Sequence, residues 1–256
     1  MLELIDLSKE MSREQFRQRL PRFQQQMLEV EDAIATAGIP VIIVVEGWAT
    51  ANKGGVIRTL TSRMDPRGFR VVTIGAPREH EESFPWMHRF WLRLPNYGEI
   101  VIFDQSWYRR LLVERVEERV PKKEWKRAFA AIRNFERTLA DDGTVIIKFF
   151  LHISRKEQAR RLRKLLANKS TVKLVSKEDQ SQQKKYDRYL EAIEEMLSQT
   201  EAEWAPWTIV EANSSQFARY RVFETVLMRL EQALRKASEK FHPAVEPEVT
   251  DNDRKN

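Results

Sequence analysis

The sequence predicts an α/β fold with a five-stranded, mostly parallel sheet and helices on both faces. Short runs rich in β-branched residues alternate with longer segments whose apolar residues recur every three or four positions. The runs are apolar throughout, which is typical of strands buried on both faces of a parallel sheet. At 256 residues, of which 42% are hydrophobic, the chain has the length and the apolar content for one large α/β domain.

The segment before the first strand predicts one long helix. Its apolar residues follow one another at spacings of four and three from Phe16 to Ile34, which indicates an amphipathic helix over roughly residues 12–37. Gly38 and Pro40 end it.

Five strands and the helices between them follow along the chain. The strands are predicted at residues 40–45, 69–74, 99–104, 144–153 and 207–212. The helices are predicted at residues 54–64, 84–94, about 107–118, 122–140, 154–168, 183–199 and 215–238. The predicted organisation is therefore an N-terminal helical extension (1–38), an α/β domain (39–235) and a disordered tail (236–256).

Residues 163–185 interrupt this alternation because they are highly charged and poor in apolar residues. The pattern fits a mobile lid over a polar site. An exposed helix-loop-helix explains the same pattern. The tail prediction rests on a similar change of composition, because the chain becomes polar and proline-bearing after about Lys236.

Composition narrows the possible chemistry and partners. The chain has no cysteine, which excludes disulfides, thiolate metal sites and cysteine nucleophiles. The first residues lack a basic region followed by an apolar one, and no apolar run reaches the length of a membrane span. We therefore expect a cytoplasmic protein without a membrane partner. The net charge of +6 suits nucleic acid, nucleotide or polyphosphate, and an ordinary basic surface explains it as well.

The loop after the first strand, VVEGWATANKGG (residues 44–55), has the outline of a phosphate-binding loop. Backbone N–H groups at such a loop and at the following helix N-terminus hold phosphate oxygens, and a lysine neutralises them. The strict pattern G-x-x-x-x-G-K-[ST] is not matched, because Asn52 stands in place of a glycine and Gly54 in place of the hydroxyl residue. Asn tolerates a positive φ better than most residues, so we expect the loop to keep its shape. A strand-turn-helix with glycines for packing is the alternative.

The third strand and the residues after it read IVIFDQSWYRR (residues 100–110). Asp104 stands at its carboxyl end, where a carboxylate meets Mg²⁺ in phosphate-loop proteins. An Asp that caps the next helix is the alternative. Arginine side chains suit phosphate oxygens, and several follow or precede this strand. The candidate phosphate- or nucleotide-binding residues are Gly47, Asn52, Gly54, Gly55, Arg58, Arg89 and Arg109.

Further stretches carry a resemblance to a known family. They are EGW…KGG (46–55), DPRGFRV (65–71), APREHEE (76–82), HRFWLRLP (88–95), GEIVIFDQSWYRRLLVERV (98–116), NFERTL (134–139), KFFLHISRKEQ (148–158), KYDRYLEAIEEML (185–197) and APWTIVEAN (205–213). In this order they resemble the type-2 polyphosphate kinase family, over about residues 23–234.

The resemblance implies a P-loop kinase-like three-layer sandwich with a helical lid. It implies phosphoryl transfer between inorganic polyphosphate and nucleoside mono- or diphosphates with Mg²⁺, in a homo-dimer or homo-tetramer. It makes Lys53, Asp104 and Arg110 the candidate catalytic residues, with Asp104 also the candidate metal ligand. Lys169 and Lys173 are the candidate lid residues.

The chain departs from the family pattern at the loop, after the third strand and in the lid. Ala49 stands where the family loop has Asp, and Asn52 where it has Gly. After the third strand, Gln105 stands where the family has Arg, and Arg109 where it has Gly. The lid stretch around Lys173 lacks the aromatic residue that the family usually carries there, although it keeps basic charge. An active kinase with a modified site and a member that binds polyphosphate or nucleotide without transfer are both consistent with this pattern. Nucleic-acid binding is disfavoured because no reader motif is present.

Overall fold

Five strands in the order β2-β3-β1-β4-β5 form the central sheet, and all four neighbouring pairs are parallel. The computed structural model describes residues 2–241. The strands are β1 Val41–Gly47, β2 Phe69–Thr73, β3 Ile100–Asp104, β4 Val145–His152 and β5 Trp207–Glu211. The predicted α/β class and the five strands are confirmed.

Ten α-helices in the described residues surround the sheet. They are α1 Arg13–Thr36, α2 Lys53–Leu60, α3 Glu79–Glu82, α4 His88–Trp91, α5 Val113–Val116, α6 Lys122–Asp141, α7 Arg155–Leu166, α8 Lys177–Lys184, α9 Tyr186–Gln199 and α10 Ser215–Phe241. Three 3₁₀ turns lie at Leu2–Leu4, Trp107–Arg110 and Val172–Leu174. Within residues 2–241 no helix combines the length and the apolarity that crossing a bilayer requires.

Two predicted helices are wrong in extent. The helix predicted at 84–94 is only the short α4, His88–Trp91. Pro85 disfavours helical backbone at Phe84, where the predicted helix would begin. The one predicted at 107–118 is a 3₁₀ turn followed by α5, with non-helical backbone at Leu112 (φ −105°, ψ −86°). The last helix continues to Phe241, into the predicted tail, and residues 242–256 lie outside the described residues.

Both faces of the sheet are covered. Val41 to Val45 are all fully buried, and successive strand residues point to opposite faces, so neither face of β1 meets solvent. α1 packs along α10, where the rings of Phe23 and Phe223 stack at 5.6 Å between centroids. Helix α6 packs against β4 and against the 3₁₀ turn after β3.

A buried charged network ties this turn to the sheet. Lys148 on β4 is fully buried, and its Nζ donates to Oε2 of Glu136 at 2.9 Å, to the Tyr108 hydroxyl at 3.0 Å and to the Thr200 carbonyl at 2.9 Å. Trp107 Nε1 and the Tyr108 hydroxyl donate to Oε1 of Glu136 at 3.0 and 2.7 Å. The network therefore holds the segment that directly follows Asp104.

Replacing Lys148 by methionine should destabilise the fold by about 3–5 kcal/mol, because it leaves the Glu136 carboxylate buried without its cation. The urea unfolding midpoint measures this loss. Lys123→Met is the matched control: Lys123 is exposed on α6, and its replacement should change the free energy of unfolding by less than about 0.5 kcal/mol. Equal midpoints for the two variants would contradict a stabilising role for the network.

Candidate functional site

The carboxyl ends of β1 and β3 lie side by side and carry the first candidate residues. Val45 is paired with Asp104 in the parallel register, and the N–H of Gln105 donates to the Val45 carbonyl at 3.2 Å. The Ser106 hydroxyl donates to Oε1 of Glu46 at 2.8 Å, so side chains also join the two strand ends. The loop after β1 and the segment after β3 therefore open onto one site.

The loop after β1, residues 48–52, has a constrained backbone. Thr50 and Asn52 lie in the left-handed region, with φ of 63° and 71°. The expectation that Asn52 accepts a positive φ is confirmed. Gly47 has a φ of 148°, and a Cβ there would lie 2.6 Å from the Leu151 carbonyl oxygen of β4. A side chain at Gly47 would therefore push the loop away from the sheet.

The side chain of Asn52 turns back over the first turn of α2. A Cβ on Gly55 would lie 2.2 Å from Asn52 Oδ1, so only glycine at position 55 leaves room for this arrangement. Gly54 is exposed, and the space beside its Cα is open. The helix N-terminus therefore keeps accessible backbone at Gly54, whereas Asn52 covers it at Gly55.

Lys53 folds back across the loop. Its Nζ donates to the Gly47 carbonyl at 3.1 Å and to the Trp48 carbonyl at 3.3 Å. Burial raises the pKa of Glu46 to about 7. The Ser106 hydrogen bond and the positive charge of Lys53 favour the ionised carboxylate and limit this rise. Burial also raises the pKa of Asp104, and the Lys53 charge again opposes the shift. The lysine and the two carboxylates thus form one electrostatically coupled cluster.

Three of the candidate arginines meet in a second part of the site. Arg89, Arg109 and Arg110 line a cavity of about 230 Å³, here named the arginine cavity. The Nε atom of each is buried and has no hydrogen-bond partner. Trp86 and Phe90 contribute aromatic walls. Unused guanidinium donors in a partly aromatic cavity suit an anion that carries a ring.

Each of these arginines is already paired with a glutamate. Arg89 lies 3.4 Å from Glu81, and Arg110 lies 2.9 Å from Glu114 on the next helix. The guanidinium of Arg110 also stacks over the Trp86 ring, 4.9 Å from its centroid. The third arginine, Arg109, is paired through both Nη atoms with Glu178 of α8, a residue far away along the chain.

Helix α8, within the 163–185 segment, lies over the loop after β1. Besides the contact of Glu178 with Arg109, the Gln182 side-chain oxygen accepts a hydrogen bond from the N–H of Ala49. Gln158 of α7, which is fully buried, donates to the same Gln182 oxygen at 3.1 Å. The segment predicted as a lid therefore contacts the site through α8.

A larger cavity, of about 730 Å³, borders the loop after β1 and is here named the loop cavity. Thr50 and Asn52 form one wall. Four basic and two acidic side chains contribute to the rest, which leaves a positive balance: Arg13, Arg160, Arg161, Lys164, Glu10 and Glu157. Arg161 also braces the loop, because its Nη1 donates to the Thr50 carbonyl at 3.1 Å while its Nη2 donates to the Ala212 and Asn213 carbonyls at 2.8 Å each.

Three candidate side chains are exposed and line neither cavity. Arg58 is exposed on α2, where its charge adds to burial in lowering the pKa of Arg219. Lys169 and Lys173 are exposed between α7 and α8. The contacts of Glu178 and Gln182 with the site were missed from the sequence, because both residues lie in a charged segment with no motif and reach the site only through the fold.

Trp48, the first residue of the loop after β1, packs against aromatic side chains from β4 and α9. The Trp48 ring, fully buried, stacks on Tyr186 at 4.4 Å between centroids, and its Nε1 donates to Nδ1 of His152 at 2.9 Å. Burial lowers the pKa of His152 to about 4. The imidazole is therefore neutral at physiological pH, with Nδ1 as an acceptor.

Acidification should weaken this support. The folded-state pKa of His152 lies below its ordinary value of 6.5, so its contribution to stability is present above pH 6.5 and is lost as the pH falls towards 4. The loss should reach at most about 3 kcal/mol. Urea midpoints of the ligand-free protein between pH 7.5 and 4.5 measure it. His152→Gln should flatten the profile, whereas His80→Gln, at an exposed position, should leave it unchanged. Parallel profiles for all three proteins would contradict the assignment.

Comparisons with known proteins place the chain in a family. The family model for Polyphosphate kinase 2 (PPK2) matches residues 10–238. A polyphosphate:AMP phosphotransferase of Pseudomonas aeruginosa is 34% identical over 92% of this chain. An AMP/ADP-polyphosphate phosphotransferase of Meiothermus ruber is 37% identical over 75% of this chain. The chain spans 48% of the Pseudomonas protein and 72% of the Meiothermus protein.

The fold is also that of a solved relative. The crystal structure of polyphosphate kinase 2 from Arthrobacter aurescens superposes with a TM-score of 0.85 at 28% identity, covering 91% of this chain and 85% of the other. The family match extends over the loop after β1, the end of β3 and α8 together. This chain belongs to the polyphosphate kinase 2 family.

Proposed function

We propose that this chain transfers phosphoryl groups between inorganic polyphosphate and nucleoside mono- or diphosphates, with Mg²⁺. The observation that carries the proposal is the position of Lys53, which lies across the loop and acts on the carboxylates of both neighbouring strand ends. The phosphotransferase names of the relatives support the same chemistry. In the direction of nucleotide phosphorylation, a terminal phosphate oxygen of the nucleotide bonds to the terminal phosphorus of polyphosphate as the P–O–P bond to that phosphorus breaks, and polyphosphate shortened by one phosphate leaves. In the opposite direction the two partners exchange these roles.

Lys53 and the N-terminus of α2 grip the transferred phosphate in this proposal. On substrate binding, Nζ of Lys53 exchanges its two carbonyl partners for phosphate oxygens. The accessible backbone at Gly54 adds an N–H donor at the positive end of the helix. Gly47 and Gly55 act through close packing and keep the loop in place.

Asp104 is the proposed ligand of Mg²⁺, directly or through water. Within residues 2–241 no group of three or more His, Asp or Glu side chains is gathered to hold a metal by itself. Mg²⁺ does not require such a group, because it keeps several waters and binds one or two carboxylates together with substrate phosphates. The carboxylates of Glu46 and Asp104 have pKa values raised by burial, so a nearby cation would stabilise their ionised forms. When bound, Mg²⁺ neutralises charge that develops on the phosphates.

The two cavities suit the two substrates. The arginine cavity offers guanidinium donors beside aromatic walls, and we assign it to the nucleotide. The loop cavity is larger, basic and bordered by the loop itself, and we assign it to polyphosphate. The phosphates then meet at the loop after β1. The protein's part in catalysis is positioning and charge neutralisation.

The remaining parts of the proposal concern assembly and location. Exposed apolar side chains on β2 and in the segment between β2 and β3 are candidates for a homo-dimer or homo-tetramer interface: Val71, Phe84, Trp91, Leu92 and Tyr97. The 163–185 segment acts as the lid. The absence of cysteine supports a cytoplasmic location.

Lys53→Ala should lower kcat/KM by about 10²- to 10³-fold, the usual effect of removing one preorganised charge-stabilising donor. Nucleotide formation from Mg²⁺, long-chain polyphosphate and AMP, ADP, GMP or GDP measures it, and a chelator should abolish the native signal. Lys123→Ala, at an exposed position on α6, is the control with native activity. Undiminished transfer by the Lys53 variant would overturn the assignment.

Ala49→Asp should raise kcat about tenfold, equal to about 1.4 kcal/mol of barrier, by adding a carboxylate for Mg²⁺ at the loop. Ala49→Asn has nearly the same size without the charge and should not accelerate transfer. The same assay separates the second candidate function, binding without transfer. If the chain binds without transfer, the native protein and Ala49→Asn form no nucleotide product, and only Ala49→Asp does.

A further inference from the structure

Arg109 differs from the other two arginines of the arginine cavity in the position of its ion-pair partner. The glutamates that pair with Arg89 and Arg110 both line the cavity, so those ion pairs belong to its wall. The partner of Arg109 is Glu178, which comes from α8 above the site. Moving α8 would therefore release Arg109 and leave the other two arginines paired.

Arg109 contacts the segment that directly follows β3. Its side chain is 3% exposed, and its Nε is buried without a hydrogen-bond partner. Its Nη1 donates to Oε1 of Gln105 at 3.5 Å. Gln105 is uncharged and follows Asp104 in the chain, so Arg109 brings a guanidinium to the side chain next in sequence to the proposed metal ligand.

Helix α8 covers two phosphate-binding groups at once. Glu178 and Gln182 are four residues apart and lie on one face of the helix. The Glu178 carboxylate accepts hydrogen bonds from the Arg109 guanidinium, and the Gln182 side-chain oxygen accepts one from the N–H of Ala49. Guanidinium groups and loop N–H groups are the donors that hold phosphate oxygens. In the ligand-free protein, α8 supplies oxygen atoms to both.

The charge of Glu178 has a second partner. Arg119, whose side chain is 41% exposed, lies 2.9 Å from Oε1 of Glu178. Burial by itself would raise the pKa of Glu178, but the hydrogen bond and charge of Arg109 and the charge of Arg119 lower it. The carboxylate is therefore ionised at neutral pH. If Arg109 moves away, Glu178 keeps its ion pair with Arg119.

We propose that Arg109 is a catalytic residue that contacts the transferring phosphoryl group, and that Glu178 and Gln182 of α8 occupy the phosphate's donors until a phosphate chain displaces them. This inference rests on the proposed function. In this proposal the phosphoryl group is transferred where the two substrates meet, so the end of a polyphosphate chain seated in the loop cavity reaches both Arg109 and the N–H of Ala49. There it competes with Glu178 and Gln182, and displacing these two side chains lowers the measured affinity for the chain.

Opposite effects of two single substitutions test the proposal. Calorimetric titration with inorganic tripolyphosphate and Mg²⁺ gives Kd without any need for turnover. Arg109→Met keeps the apolar stem and removes the charge, and should weaken binding about 10- to 100-fold. Glu178→Gln removes the competing anion and should tighten binding. Arg119→Met, which weakens the hold on Glu178 without touching the cavity, is the matched control and should not weaken binding.

A purely structural ion pair behaves differently, because Arg109→Met and Glu178→Gln break the same contact and would then change Kd in the same direction and by similar factors. That result overturns the proposal. Arg109→Lys keeps the charge and should recover part of the affinity, and thermal midpoints identify any variant that fails to fold. If Arg109→Met binds as tightly as the native protein, Arg109 has no phosphate contact, although the proposed transfer can still stand.

Phosphoryl transfer measured on the same variants distinguishes the proposed function from the competition between α8 and phosphate. The expected result is a lower kcat for Arg109→Met and a lower KM for polyphosphate in Glu178→Gln. If the native protein and all variants lack transfer but the opposite changes in Kd remain, the proposed function fails and the competition between α8 and phosphate stands. If neither the native protein nor Glu178→Gln binds tripolyphosphate, both fail.

Discussion

Parallel pairing of β1 with β3 is the constraint on which the site depends. It places the carboxyl ends of both strands at one edge of the sheet, so that the loop with Lys53 and the turn after Asp104 face the same space. β1 is hydrogen-bonded to β3 on one side and to β4 on the other, and its valines and isoleucines are buried, so packing and pairing hold this edge of the sheet in place. The network around Lys148 holds the turn after β3 in the same way. The proposed transfer needs such a frame, because positioning and charge neutralisation are the protein's part in it.

Charge balance shapes the rest of the site. Several arginines lie in places with little access to water, and a buried guanidinium requires an anion nearby. The ligand-free protein meets this need with glutamates: Glu81 and Glu114 from the cavity wall and Glu178 from α8. The unpartnered Nε atoms show that the glutamates do not use all the donors. A phosphate ligand offers more acceptor oxygens than a carboxylate, and in the proposed function it takes the place of a glutamate.

Much of the fold follows from local patterns. Continuous apolar runs predicted the strands, because burial on both faces leaves few polar residues in them. The positive φ at Asn52 was predicted from its place in the loop motif together with the tolerance of Asn for left-handed backbone. The helix predicted over 107–118 was wrong, since buried aromatic packing and the charged network at Trp107 and Tyr108 override local propensity there.

The sequence by itself determined the α/β class, the five strands, the loop around Lys53 and the carboxylate at Asp104, because each depends on residues close together in the chain. Only the tertiary structure decided which arginines share a cavity and which remain outside, as Arg58 does. It also decided that α8 reaches the site, with Glu178 on Arg109 across 69 residues. Such contacts depend on how distant segments pack, and no local pattern of residues encodes them.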